Sequence, residues 1–433
     1  MPDIRDGENM ELELHCVRLQ NGGEAAVTGK PERSGKGVIY PVKVSGRDML
    51  LKWYTNPPED DFYENISNII RNGAPSSQFI WPEYLTEKES DGSWGFVIGL
   101  PPHGFYDLGS FLLGRAKLSS FSKMLSAAMN LCNCFKQMHG EEGFCFSNLN
   151  DGSVLINPES GEVLISGGDN IVPEGSPFGV MPEARYMAPE IVSGTAVAPN
   201  KYSDRFSLAV ILFILFFASH PFEGAKAVSR PYLTPGDSKK LYGSEAVFIF
   251  DPANDSNRPV RGIHQNVIRS WPSFPKVLKG TFIQEFGQNM LKTPQGRMSV
   301  RSWEDKIRET RDGLILCPNC GREMFADTAY GPTNCPSCAK PVDISKVLVM
   351  QDRRTVLLVL GKKIYFEGNV PEAEVVKDQE GNLLIRNLSS EPWYVETRSG
   401  KTKVVKTQGF MPVIEGLRIT FKTNDTAVIS KNY

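Results

Sequence analysis

The sequence predicts an α+β chain: two lobes of unlike composition, followed by a small cysteine-bearing module and an all-β sandwich. Three observations predict it. The first 100 residues are short, alternating apolar runs around one helical segment, residues from about 105 to 312 are mainly helical in period, and residues 344–433 return to short strands. At 433 residues the chain exceeds one ordinary core and divides into several domains.

Residues 1–24 read as an N-terminal flank, and 25–100 as a first lobe. Within that lobe AVTG, GVIYPVKV, DMLLKWY and WGFVIGL read as strands, while DDFYENISNIIRNG has the i, i+3, i+4 apolar spacing of a helix. Residues 101–312 form a larger, helical lobe: YDLGSFLLGRAK, FSKMLSAAMNLCNCFKQMHG, the run around Leu208 and VRSWEDKIRETRDGL are its expected helices. GSVLINPESGEVLIS interrupts them with two short strands and a turn. Residues 313–343 hold the cysteine module. In 344–433, KVLVM, TVLLVL, KKIYF, NLLIRNL, PWYVET, KVVKT, LRITF and TAVIS are eight expected strands.

Composition excludes several classes of function. With 40% hydrophobic and 23% charged residues, wholesale disorder is excluded. Lysine plus arginine (48) against aspartate plus glutamate (50) gives −2, so no global charge favours nucleic acid or an anionic membrane. The longest apolar run, Leu208 to Ala218, has 11 residues, short of the roughly 18–20 that span a bilayer. It reads as a buried helix. The N-terminus lacks a basic segment followed by an apolar one, so a cytoplasmic location is expected, where thiols stay reduced.

Cysteine spacing is the strongest metal signal. Cys16, Cys132, Cys134 and Cys145 are scattered and read as core or surface thiols, whereas Cys317-Pro-Asn-Cys320 and Cys335-Pro-Ser-Cys338 form two pairs separated by 14 residues. Two thiolate pairs on tight turns suit a tetrahedral zinc, and four thiolates leave no open position, so the ion would be structural. Disulfides, free thiols or a rubredoxin-like iron are the alternatives. The loop between the pairs carries one basic residue, Arg322, and two acids, which argues against nucleic-acid binding.

RSGKGVIYPVKV followed by LLKWY places Gly35 and Gly37 in a loop able to approach phosphates closely, with Lys52 as a cation behind them. By itself a lysine between apolar residues is more often a snorkelling strand residue. Further along stand Ala188-Pro189-Glu190, then Asp204 in KYSDRFSLAVILF, then Arg297. In this order and spacing the pieces resemble a protein kinase, whose layout of small sheet, single helix, hairpin and larger helical lobe also matches. The closer resemblance is to a bacterial kinase-like family encoded near a von Willebrand A-domain protein and a metal-dependent protein phosphatase. SGKGVIY, LLKWY, GAPSSQFIWPEYL, GFVIGLPP, YMAPEI, SDRFSLAVILF, HPFEG, FIFDPANDSNRP and the cysteine pairs carry it, over roughly residues 25–340.

The resemblance implies that Glu190 pairs with Arg297, that Asp204 tethers its helix to the catalytic loop, and that Lys52 pairs with an acid of the candidate helix, Glu64 or its rival Glu59. It also exposes departures. Where intact members read Tyr-x-Asp-Ile-x-Asp-Gly-Asn and Asp-Asn-Asp-Asn, this chain reads FSNLNDGS and GGDN. Asn148 then replaces the aspartate that orients the acceptor hydroxyl, Ser153 the metal-binding asparagine and Gly167 the metal-binding aspartate. An amide cannot take up a proton as a carboxylate does, and glycine offers magnesium no oxygen. Asp151 and Asp169 are the carboxylates from which an atypical kinase or other nucleotide-dependent transferase could be rebuilt. The implied protein is therefore a pseudokinase scaffold, not an enzyme, with structural zinc and with ATP and magnesium as doubtful cofactors. Its implied partners are a von Willebrand A-domain protein and a protein phosphatase, with neither nucleic acid nor membrane. Residues 344–433 loosely resemble a forkhead-associated (FHA) sandwich without its Gly-Arg, Ser-x-x-His and Asn-Gly motifs; Arg386 and Arg398 then read as surface charges and the sandwich as a protein-docking module.

Overall fold

The computed structural model describes residues 14–34, 37–55, 60–140, 143–176, 183–230, 232–326, 333–421 and 425–432. The chain is mixed, 30% helix and 26% strand, and divides into two compact units, Met1–His103 with Leu164–Val172, and Gly104–Val163 with Pro173–Tyr433.

The first unit is a seven-stranded antiparallel sheet with one helix. Its elements are β1 (Cys16–Arg18), β2 (Glu24–Val27), β3 (Glu32–Ser34), β4 (Gly37–Val44), β5 (Arg47–Tyr54), α1 (Asp60–Asn72), β6 (Pro82–Leu85) and β7 (Trp94–Gly99). The strand order is β1-β2-β4-β5-β7-β6, with β3 on β4. Strand alternation turns Tyr40, Val42 and Val44 of β4 and Met49, Leu51 and Trp53 of β5 into one core with Val17 and Leu19. Ser45 and Gly46 join β4 to β5 with φ of 48° and 84°, the left-handed pair that a two-residue hairpin needs to match strand twist. α1 buries Phe62, Ile66 and Ile69, the same face at i, i+4 and i+7.

The second unit contains the long helices α2 (Phe121–Met138), α3 (Lys201–Phe217) and α4 (Val300–Asp312). Ser120 and Ser299 cap α2 and α4, and Asn200 with Ser203 forms a capping box on α3. The apolar run from Leu208 lies inside α3 and is fully buried through Phe217. Among the described residues no helix is long and apolar enough to cross a membrane. YDLGSFLLGRAK, expected to be helical throughout, is so only over Leu108–Leu112. Gly114, at φ 70°, turns the chain away directly after it.

Among the described residues the C-terminal part has ten strands, not the eight expected, in sheets of six and four. The two additions are Ala373–Lys377 and Phe410–Pro412, both in the four-stranded sheet. The sheets share one core that includes Leu348, Val356, Ala373, Ile385, Trp393 and Ile419. This part is fastened to the helices by buried polar groups. The Lys362 ammonium donates to the carbonyls of Arg311 (2.7 Å), in the last turn of α4, and of Leu314 (2.8 Å), just past it, where a cation complements the helix dipole. Burial lowers that lysine to about 8. Arg311 donates to Gly368 O (2.7 Å), and Asn369 Nδ2 to Ser126 O of α2 (3.1 Å).

Candidate functional site

In the first unit, Lys52 and Tyr54 stand two residues apart on β5 and therefore on one face of the sheet. Both reach Asp169, in the short turn Gly168–Asn170. The Lys52 ammonium donates to Asp169 Oδ2, and the Tyr54 hydroxyl donates to the same oxygen at 3.1 Å. The Asp169 side chain is 3% exposed and that of Lys52 20%. Burial, then the Asp169 charge, push the Tyr54 hydroxyl far above its ordinary value, so it remains a donor. Tyr54 is itself fixed by Phe62 and Trp94, at ring distances of 5.6 and 5.4 Å.

The turn bearing Asp169 is pinned to the same unit. Ile80 N–H donates to Ile165 O and Ile165 N–H to Gln78 O, both at 2.8 Å, and Asn65 Nδ2 of α1 donates to Ile171 O at 3.1 Å. A Cβ on Gly168 would lie 2.8 Å from Pro82 and 3.2 Å from Trp81, so this glycine permits the close packing. Gly167, at φ 83°, supplies the left-handed entry to the turn and no side chain.

These contacts correct one expectation. Glu64 is exposed on α1, and the carboxylate beside Lys52 belongs to Asp169, 117 residues away in sequence. Glu59 and Gly35 lie outside the described residues. Gly37 opens β4, where an added Cβ would come within 2.9 Å of Trp53 O and 3.4 Å of the Tyr54 ring. Its bareness makes room for the tyrosine that holds Asp169. Tyr54 was not anticipated, although its place two residues after Lys52 was the available signal.

In the second unit, the loop 147–153 is held by Asp204. Its carboxylate accepts the Phe146 N–H (3.2 and 3.1 Å) and lies 2.8 Å from His139 Nε2, while burial raises its pKa. Asn148 Oδ1 is buried with no partner among the described residues. Ser153 donates from its backbone N–H (3.1 Å) and hydroxyl (3.3 Å) to Asn150 Oδ1. Asp151 faces Tyr186, whose hydroxyl is raised by burial first and by its bond to Asp151 among the lesser causes. Arg297, 3% exposed, makes a two-pronged pair with Glu190 at 2.8 and 2.7 Å and donates to Tyr202 O at 3.0 Å, the arrangement in which a guanidinium is held most firmly. In the sandwich, Arg398 pairs with Glu415 at 3.2 Å, and Arg386 lies 5.9 Å from the Phe410 ring with a buried, unpartnered Nε.

Cys317, Cys320, Cys335 and Cys338 converge, their sulfurs all within 4.8 Å of one another. Cys317 Sγ lies 3.8 Å from Cys338 Sγ, and Cys320 Sγ 3.7 Å from Cys335 Sγ. Disulfides would need about 2.05 Å. Four sulfurs tetrahedrally placed about 2.3 Å from a zinc would stand ~3.8 Å apart, so the group fits such an ion. The two turns are built alike. Cys317 N–H donates to Arg322 O and Gly321 N–H to Cys317 O; Cys335 N–H donates to Lys340 O and Ala339 N–H to Cys335 O. Gly321 and Ala339 take the same left-handed position, φ 71° and 58°. Against the cost of burial, the Asn319 and Cys320 N–H groups lower the Cys317 thiol, favouring the thiolate that a metal requires. The four cysteines can hold a metal ion such as zinc.

No protein-family model matches this chain, and a comparison with curated proteins finds no match.

Proposed function

We propose that the chain is a pseudokinase: a kinase-like, catalytically inert scaffold of a bacterial phospho-signalling system, with the cysteine module and the C-terminal sandwich as docking parts. One observation carries the reading. The Lys52 ammonium is paired not with an acid of α1, as the resemblance implies for a kinase, but with Asp169, whose carboxylate oxygen is shared with Tyr54. Gly167 adds no oxygen ligand, Ser153 is engaged by Asn150, and Asn148 presents an amide where the reaction needs a carboxylate. The Glu190–Arg297 pair and the Asp204 clamp on the Phe146 N–H support a kinase-like framework kept while its chemistry was lost. Zinc on the four thiolates is structural in this reading, since its tetrahedron is complete. A cytoplasmic location and the partners implied by the resemblance, a von Willebrand A-domain protein and a protein phosphatase, complete it.

Asp169 also favours a second reading, an atypical kinase or other nucleotide-dependent transferase, because a carboxylate does stand beside the lysine. Phosphotransfer from labelled ATP separates the two. The scaffold reading expects incorporation no greater than in Lys52→Ala; incorporation that Lys52→Ala and Asp169→Ala both abolish would establish the enzyme.

A further inference from the structure

A groove in the second unit, used by neither the Lys52 cluster nor the cysteine site, has an apolar floor and a basic rim. It is a cavity of ≈ 850 Å³ between the start of α2, the end of α3 and the helix Gln265–Ser270. Leu118, Phe121 and Met124 form much of the floor. Phe121 is held edge-on against Phe274 at 5.4 Å and tilted against Phe325 at 5.1 Å, so the floor is a fixed aromatic surface.

The rim bears Lys117, Arg269 and Arg322, all exposed and without a carboxylate partner among the described residues. One carboxylate, Glu323, lines the groove with them. It is already engaged, accepting the Ser122 N–H through both oxygens at 3.3 and 3.2 Å in the first turn of α2, where the helix dipole attracts an anion. Three cations thus face a single carboxylate around an apolar floor, a net positive rim in a chain whose net charge is −2. An apolar floor rewards bulky side chains, and a net positive rim selects acidic neighbours.

We propose that this groove docks an acidic peptide segment of a protein partner, with aromatic or branched aliphatic residues seated over Phe121 and acids meeting Lys117, Arg269 and Arg322. The inference stands apart from the pseudokinase reading, because it holds whether or not the chain binds nucleotide. Short random peptides displayed on phage and selected on the full chain test it. The expected result is enrichment of Asp or Glu flanking aromatic or aliphatic residues. The selected peptides should bind about tenfold more weakly to Lys117→Glu/Arg269→Glu, a surface variant that keeps the aromatic floor. Lys403→Glu, on the sandwich, should leave their affinity unchanged. Absence of enrichment, enrichment without acids, or affinity indifferent to the double reversal would overturn the proposal. So would displacement of the selected peptides by a single-stranded oligonucleotide, which would make the rim a nucleic-acid contact.

Discussion

The cysteine module and the Lys52 cluster are both small polar sites, but they are specified in opposite ways. Four cysteines within 22 residues, on two turns of one design, place their ligands by local backbone geometry. The Lys52 cluster joins residues 117 apart, and its reach depends on strand alternation, on Gly37 admitting the Tyr54 ring, and on Gly168 packing under Trp81. The first site can hold a metal ion among its four sulfurs. The second is already complete, since its cation and carboxylate satisfy each other.

Metal removal should have the largest effect. Structural zinc contributes ~10 kcal/mol to such folding units, and the module's core is continuous with Val347, Leu357 and Val359 of the sandwich. Chelation, or Cys335→Ser, should abolish hydrogen-exchange protection in Leu314–Leu316 and Glu323–Phe325 and weaken it in Lys346–Met350, while β4, β5 and α1 keep theirs. Uniform loss across both units would show that the module is not separate.

Next in size is Asp169→Ala. It strands a partly buried ammonium and a buried hydroxyl, for a cost of about 2–3 kcal/mol in chemical denaturation. Replacing Lys52 and Asp169 together by methionine and leucine should recover much of it. A loss under about 0.5 kcal/mol for Asp169→Ala would mean the pair is incidental.

Glu285 sharpens the contrast, being a buried carboxyl with no ion-pair partner among the described residues. It is 1% exposed; Oε2 accepts the Met298 N–H at 2.9 Å and Oε1 has no partner. Burial pushes it up to about 7 from 4.5. Because the folded state holds this proton more tightly, its contribution is full below about pH 4.5 and is lost as pH rises through about 7. Glu285→Gln should therefore be the more stable protein at pH 8, by on the order of 2 kcal/mol, with equal stability near pH 4. A Glu285→Gln protein no more stable than the original at pH 8 would contradict this.

The smallest effect concerns the two cysteine turns. Ala339 occupies the left-handed position that glycine holds at 321, so Ala339→Gly should stabilise the metal-bound protein by about 0.5–1 kcal/mol.

Legibility follows the same division. α1, α3 and the strands flanking Ser45-Gly46 could be read because period and turn chemistry lie within a few residues of one another. AEVVK could not, since only Ala373 and Val375 are fully buried and its acid and lysine resemble a loop. YDLGSFLLGRAK looked longer as a helix than it is because its apolar spacing hid the left-handed Gly114. The cysteine cluster was readable from spacing alone. The partner of Lys52 was not, because nothing local distinguishes Glu64 from Asp169; the tertiary fold decides which carboxylate is buried beside it.

In the pseudokinase reading, Lys52 and Asp169 satisfy each other and leave no grip for a magnesium-bound triphosphate. A thermal-shift titration of the full chain with ATP, with and without magnesium, tests it most directly. The expected melting temperature is one that magnesium does not change at any ATP concentration. A saturable, magnesium-dependent rise that disappears in Asp169→Ala would contradict it.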